Sequence, residues 1–394
     1  MNARPQHNEY VLITGGAGFI GTNLAKSLAT AGHRVVVLDN FSRDGVENNA
    51  SFLRRHFSQQ VEIVRGDCRD SQLIAELVAG ATQVFHFAAQ VAVTTSLTHP
   101  TLDFDVNARG TLVLLEAIRS CPIRPPLVYT STNKVYGALD DLPLTRRAAR
   151  YEPLDVNVRD NGISEARPLA FHSPYGCSKG TADQYVIDYA HSYDMNNVVF
   201  RMSCIYGPHQ CGNEDQGWVA HFVARAVTQQ PITIYGDGLQ VRDILNVTDL
   251  VRAFTLAMER IELIKGRAFN IGGGPSYTVS LLEVVELIKG QTGECVDLRF
   301  SDSRRGDQRY FVSDTRLFHS ATGWRPVVSA TEGVAQLRAW MVHSLATGGS
   351  ALTQAPAADG ESTRILDGRE SIDDRSALGS APRLGRVSEA TSWE

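Results

Sequence analysis

Between residues 10 and 130, short apolar runs (YVLITG, RVVVLDN, VEIVRGD, QVFHFAA, PLVYTST) alternate with stretches whose apolar positions recur at helical spacing, such as FIGTNLAKSLATAG, SQLIAELVAG and GTLVLLEAIRSC. Strands that are apolar at successive positions bury both faces, and helices between them supply the crossovers of a parallel sheet. The pattern predicts an α/β fold, a Rossmann-type doubly wound parallel sheet, over residues 8–195. Apolar strands continue beyond it (NNVVFRMS, ITIYG, AFNIGG) with helices such as SLLEVVELIKGQTG, while turn signals and aromatic residues become denser. This predicts a smaller C-terminal lobe over 196–345, with parts of 236–275 packing back on the first domain. Residues 346–394 show no period and are rich in Gly, Ala, Ser, Pro and charge. Such a segment buries too little apolar area to offset its ordering entropy, and a disordered tail is expected.

Composition narrows the class of partner. The 394 residues carry a net charge of −5 and 43% hydrophobic residues. That balance gives no electrostatic reason to expect nucleic acid or an anionic membrane, so a small molecule is the expected partner. Six cysteines lie scattered without a C-x-x-C pair, which reads as reduced thiols. The N-terminal MNARPQHNEYVLITGG lacks the succession of a secretory signal, and no apolar run approaches the ~20 residues of a membrane span. A cytoplasmic location is expected, and no metal site is assigned.

The first candidate site lies where YVLIT gives way to a helix. GGAGFIG places Gly15, Gly18 and Gly21 at G-x-x-G-x-x-G spacing. Glycine tolerates positive φ and lets the backbone approach a pyrophosphate closely, at a helix start whose N–H groups remain free to bind it. The next strand ends in Asp39, 18 positions beyond Gly21, where an acid accepts hydrogen bonds from the adenosine ribose. This predicts NAD, although Arg43 nearby leaves room for a 2′-phosphate. Asp67, at the end of VEIVRGD, is placed for the adenine edge or for an N-cap.

A second candidate is HSPYGCSKG, which holds Tyr175 and Lys179 at i, i+4 spacing with small residues between. A phenol titrates near pH ~10, and an ammonium one helical turn away would favour its phenolate. Thr132, just past an apolar strand in YTSTNKVYG, lies at the open edge of the parallel sheet, where ligands bind. Thr132, Tyr175 and Lys179 are therefore the expected catalytic group for hydride transfer. His172 and Cys177 flank the segment and receive no role.

Taken together, these motifs resemble the extended short-chain dehydrogenase/reductase superfamily, and within it the NAD-dependent sugar-nucleotide epimerases and dehydratases, over residues 10–343. The resemblance implies an NAD-binding Rossmann domain and a nucleotide-sugar-binding lobe. It implies cofactor contacts from Gly15, Gly18, Phe19, Ile20 and Gly21, from Asp39 and Asn40, and from Asp67 and Cys68. Phe87, Ala88, Ala89 and Gln90 would run along the dinucleotide, with Tyr175 and Lys179 at its nicotinamide end. Asn107 in FDVNARGT would order the catalytic network.

In the 4,6-dehydratases the two residues after the strand-end Thr are Asp and Glu. Asn133 and Lys134 stand there in this chain, and neither can act as that acid/base pair. STNKVYG, NGISE, DQGW and DQRYFVSD are similar to the CDP-paratose 2-epimerase (CDP-tyvelose epimerase) branch. That similarity implies epimerisation of a nucleotide-diphosphate sugar at carbon 2 through a transient ketone. It also implies substrate contacts from Thr132, Asn133, Lys134 and Gln216 and diphosphate contacts from Arg242 and Arg309, while Tyr206 and Trp218 read either as stacking on the base or sugar or as core. A homodimer or higher homo-oligomer is expected. Two alternatives stay open: a 4-epimerase or dehydrogenase on the same scaffold, and a non-catalytic NAD-binding regulator. Regulators of that kind usually lack the Tyr or the Lys, and both are present.

Overall fold

The computed structural model describes residues 9–293, 296–303 and 307–347, so the expected tail and Cys295 lie outside the described residues. Five strands of the N-terminal half, β1 (Tyr10–Thr14), β2 (Val35–Asp39), β3 (Val61–Arg65), β4 (Ala81–His86) and β5 (Leu127–Thr132), are joined by crossover helices. They form a seven-stranded parallel sheet with Asn197–Met202 and Arg267–Ile271, in the order Arg267–Ile271, Asn197–Met202, β5, β4, β1, β2, β3. The strand Asn197–Met202, which follows the expected boundary at 195, thus pairs with β5.

The unbroken apolar runs have a direct structural meaning. Side chains alternate across a strand, so one run feeds two cores. Val11, Ile13, Val35 and Val37 face one cluster, which includes Leu24 of the helix α1 (Phe19–Thr30) and Phe254. Leu12, Val36 and Leu38 face the other, with Leu114, Ile118 and Val186. A further core lies between the helices Trp218–Val227, Leu281–Thr292 and Ala330–Ala346 and the strand Ile232–Tyr235. The helix Leu281–Thr292 opens on a capping box of Ser280 and Glu283, which satisfies two of its orphan donors.

Strand order reverses direction between β1 and β4, which opens a crevice beyond their carboxyl ends. The strand Val241–Asn246 lies elsewhere, pairing with Cys204–Tyr206, Thr278–Ser280 and Tyr310–Phe311. The helix Ser173–Tyr193 begins with Pro174 in its first turn and buries Tyr175, Ser178, Lys179, Ala182 and Asp183. Small residues let its first turns approach closely: a Cβ at Gly180 would lie 2.3 Å from the Phe171 ring.

Candidate active site

At the end of β1 the chain turns through Gly15 at φ +64°, where a Cβ would sit 2.6 Å from the Ala88 nitrogen. A Cβ on Gly21 would lie 2.4 Å from Gly16 Cα, so that glycine lets α1 pack onto its own loop. Gly18 differs: a Cβ there would meet only Gly15 O, at 3.1 Å, and otherwise open space. Gly18 is the N-cap of α1 and makes no side-chain cap bond, which leaves the first N–H groups, at Phe19 and Ile20, available to an anion. Asp39 accepts from Ala17 N at 3.1 Å and Phe41 N at 3.0 Å, and burial raises its pKa. Asn40 donates to Asp67 at 3.2 Å. Arg69 grips the same carboxylate at 2.8 and 2.9 Å and holds it well below the usual range. The Cys68 thiol turns inward, where a Cβ on Gly110 would lie 2.8 Å from its sulfur, so it has no side-chain role at the crevice.

Beyond β4 the chain runs through Phe87, Ala88, Ala89 and Gln90, all half-buried. Phe87 packs on Phe254 with ring centroids 5.0 Å apart. Asn107 lies in a single π-helical turn, Asp105–Arg109. Its amide accepts from Gln90 N at 2.9 Å and donates to Gln90 O at 3.1 Å and Ser178 Oγ at 3.0 Å, tying this segment to the Tyr–Lys helix. Such π turns recur at functional sites.

Thr132 and Tyr175 come together, close enough for the Thr132 hydroxyl to act on the phenol. Burial pushes the phenol up to about 12, while the Thr132 hydroxyl and the Arg43 charge pull it down. The expected direct action of Lys179 on the phenol is not what the structure shows. Lys179 Nζ donates to Thr130 O at 2.6 Å and sits 4.3 Å over the centre of the Tyr129 ring. The i, i+4 spacing places both side chains on one helix face, but the buried ammonium takes the carbonyl and ring offered by β5. Burial brings Lys179 down to about 7, with Asp183 and Asp103 acting against it.

On the other side of Thr132, Asn133 Nδ2 donates to Gln308 Oε1 at 3.4 Å. Arg242 donates to Asp307 at 2.7 Å and to Gln308 O at 2.6 Å, and Lys134 Nζ lies 3.9 Å from the same Asp307 oxygen. Two cations therefore share one carboxylate. Burial, with the repulsion of Arg242, lowers Lys134 to about 8. Although burial opposes it, Arg242 and Lys134 hold Asp307 below its ordinary value. Trp218 borders this group, its indole N–H 3.4 Å from Cys204 Sγ. Gln216 accepts a hydrogen bond from Arg43. Asn49 donates to both Ala17 O and His209 O at 3.2 Å, so the segment preceding Trp218 is also tied to the glycine loop.

Two expected substrate residues are placed differently. Tyr206 is 1% exposed in the core of the smaller lobe, packed so that a Cβ on Gly333 would lie 2.1 Å from its hydroxyl. It is a packing residue, because a strand flanked by three helices claims its ring. Arg309 is exposed and stacks over Tyr151 at 5.8 Å, away from Arg242 and its partners Asp307 and Gln308. Just before the strand Tyr310–Phe311, Gln308 is buried while Arg309 is exposed, which separates the two.

Sequence reasoning missed Asp103, Ser178, Gln308 and the Asp183–Arg201 pair. That pair is almost fully buried, bidentate at 2.9 Å in both bonds. Arg201 also donates to Tyr136 OH at 3.2 Å. The one available signal was the placement of Asp103 and Asp183 one turn from Asn107 and Lys179.

The model of the NAD dependent epimerase/dehydratase family matches residues 11–272. The chain belongs to that family. As a member it is an NAD-dependent enzyme of the epimerase/dehydratase type, and the open space over Gly18, with Asp39 held beside the loop, fits the dinucleotide. The chain is 42% identical over 339 residues to CDP-paratose 2-epimerase of Salmonella typhi, covering 84% of this chain and 98% of that protein. Its fold is similar to UDP-glucose 4-epimerase of Thermotoga maritima, solved with UDP-glucose, at TM-score 0.73 and 29% identity over 85% of this chain and 99% of the other. It is also similar to the dTDP-glucose 4,6-dehydratase DesIV of Streptomyces venezuelae, solved with NAD bound, at TM-score 0.74 and 25% identity over 87% and 100%. Among the described residues no helix is long and apolar enough to cross a membrane, and no group of three metal-ligating side chains is placed to hold an ion.

Proposed function

We propose that this chain inverts carbon 2 of a nucleotide-diphosphate sugar, CDP-paratose or CDP-tyvelose or a close relative, through a transient 2-ketone. The observation that carries the reading is the set of groups around Thr132. Asn133 and Lys134 follow it, and the one carboxylate reaching that segment, Asp307, is kept ionised by Arg242 and Lys134. The carboxylic acid and carboxylate base that together expel a hydroxyl are therefore missing among these residues, while Tyr175 and Thr132 remain for oxidation and reduction at a carbinol carbon. The 42% identity to CDP-paratose 2-epimerase supports the choice of carbon and sugar.

Bound NAD supplies a reversible hydride acceptor, so a carbinol is oxidised and reduced again without net redox change. Tyr175 takes the proton of the carbon-2 hydroxyl and returns it once the ketone has presented its opposite face. Thr132 holds the oxygen throughout. Lys179 would hold the nicotinamide-side ribose hydroxyls of the bound dinucleotide, exchanging its bond to Thr130 O for them. Asp39 holds the adenosine ribose, and Arg242 with Lys134 holds the substrate diphosphate. We also infer a homodimer or higher homo-oligomer, checked by light scattering on the purified protein. Nucleotide sugars and NAD as reactants support a cytoplasmic location.

The test is incubation of the purified holoenzyme with CDP-paratose, CDP-tyvelose, UDP-glucose and UDP-glucuronate, following the ring protons by NMR. Inversion at carbon 2 of a CDP sugar without free NADH is expected. Inversion at carbon 4 alone would establish the second reading, which the likeness to UDP-glucose 4-epimerase favours, and would reject the first.

A further inference from the structure

Two carboxylates are buried beside the Tyr–Lys helix, and they are compensated in different ways. Asp183 is wholly buried but bidentate with Arg201. Asp103, on the helix Pro100–Phe104, is equally buried, yet its hydrogen-bond partners are two neutral groups, Ser178 Oγ and Asn107 Nδ2, the latter at 3.3 Å. An ionised carboxylate away from water is costly unless an opposite charge lies near. The residue after Ser178 is Lys179, itself a buried cation that among the described residues bonds to a neutral carbonyl. Among the described residues neither charge has an ion pair within 4 Å; Ser178, which bonds Asp103, stands next to Lys179 in the chain, and each charge acts on the other.

We propose that Asp103 is the countercharge that keeps Lys179 in its ammonium form inside the site, a positioning residue that acts through Ser178 and its electric field and touches neither substrate nor cofactor. The proposal rests on the reading of Tyr175 and Lys179 as the redox pair. It gives a reason for the Asn107 amide, which bridges Gln90 to this corner.

The groups that face Lys179 are few. Asp183 lies on its own helix, Asp103 on the helix packed against it, and Cys68 follows β3. His86 on β4 is held neutral by burial and by Lys179, and Tyr129 on β5 presents its ring face. Among them only Asp103 and Asp183 are carboxylates, and Asp183 is already neutralised by Arg201. Asp103 acts on Tyr175 as well, with the opposite consequence, since a negative charge disfavours the phenolate.

The sign of the test follows. Removing the Asp103 charge weakens the hold of Lys179 on its proton, so the alkaline limb of activity moves to lower pH. The same removal eases ionisation of Tyr175, so the acid limb moves in the same direction. Asp103→Asn is expected to displace the whole kcat profile to lower pH by about one unit, a roughly tenfold loss on the alkaline side with little loss on the acid side. Asp103→Glu restores the wild-type limbs. Thermal midpoints of each variant separate this from loss of folding. A uniform fall in kcat with both limbs in place overturns the proposal, whereas absence of turnover in the wild type overturns the reading beneath it. Should Asp103→Asn not fold, the wild-type holoenzyme still decides. The carboxyl carbon-13 signal of Asp103 should step at the pH where the Lys179 ε-carbon titrates, and a flat signal there overturns the proposal.

Discussion

The crevice for the dinucleotide and the proposed substrate site are built by opposite means. The crevice is made mostly by main chain. Gly15 and Gly21 are required because backbone approaches within 2.6 and 2.4 Å of where a Cβ would stand, and its side-chain contributions come from strand ends close along the chain, Asp39 and Asp67. The proposed substrate site is made by polar and charged side chains from four distant segments, namely Asn133 and Lys134, Cys204, Arg242, and Asp307 with Gln308. A site shaped by backbone tolerates almost no substitution but has little charge to lose. One shaped by shared charges tolerates shape changes and depends on ionisation.

Tyr175→Phe tests the proposed redox step, and the largest effect belongs there. Turnover should fall by about a thousandfold, while the NAD content of the purified protein stays as in the wild type because the ring keeps its packing. Turnover at the wild-type rate removes Tyr175 from its role. Next comes Arg201→Met, which leaves the Asp183 carboxylate buried and alone beneath both regions. A loss of about 3–5 kcal/mol is expected from chemical denaturation, and a loss under about 1 kcal/mol shows that the pair is not a support.

Gly21→Ala sharpens the contrast from the cofactor side. With the new methyl 2.4 Å from Gly16 Cα, about 1–3 kcal/mol of stability and much of the bound NAD should be lost. Retention of both after gel filtration contradicts a backbone-built crevice. The smallest effect is expected from Lys134→Met, with KM for the nucleotide sugar raised about tenfold and NAD content unchanged. Lys134 is an ammonium below about pH 8, so wild-type substrate affinity should weaken above that pH. Lys134→Arg, which stays charged, should keep its affinity through the same range. A pH-independent wild-type KM would show that Lys134 does not hold the anion.

The same contrast explains what could be read before the structure. Continuous apolar strands, the glycine loop and Asp39 are local consequences of geometry, and each leaves its mark within about twenty residues. Tyr175 and Lys179 were visible as a helical pair, but the direction of the ammonium was not. It depends on Thr130 O and Tyr129, about fifty residues earlier, and on a rotamer that spacing does not specify. Tyr206 read equally as a stacking platform or as core, and its burial decides for core; an aromatic residue is the same letter in either place. Asp103 carried only the weak signal of its place one turn before Asn107, because a carboxylate on an amphipathic helix is ordinarily solvated.

What this chain determines from sequence alone is the parallel sheet, the reversal in strand order that opens its crevice, and the kind of ligand that a capless, glycine-lined helix start accepts. Those follow from side-chain alternation and from backbone sterics, which act between near neighbours. The tertiary structure alone decides which charges are paired. Arg201 neutralises Asp183, Arg242 and Lys134 share Asp307, and Asp103 is left to act on Lys179. Burial raises the cost of each unpaired charge, and only the folded chain sets which residues lose their water together.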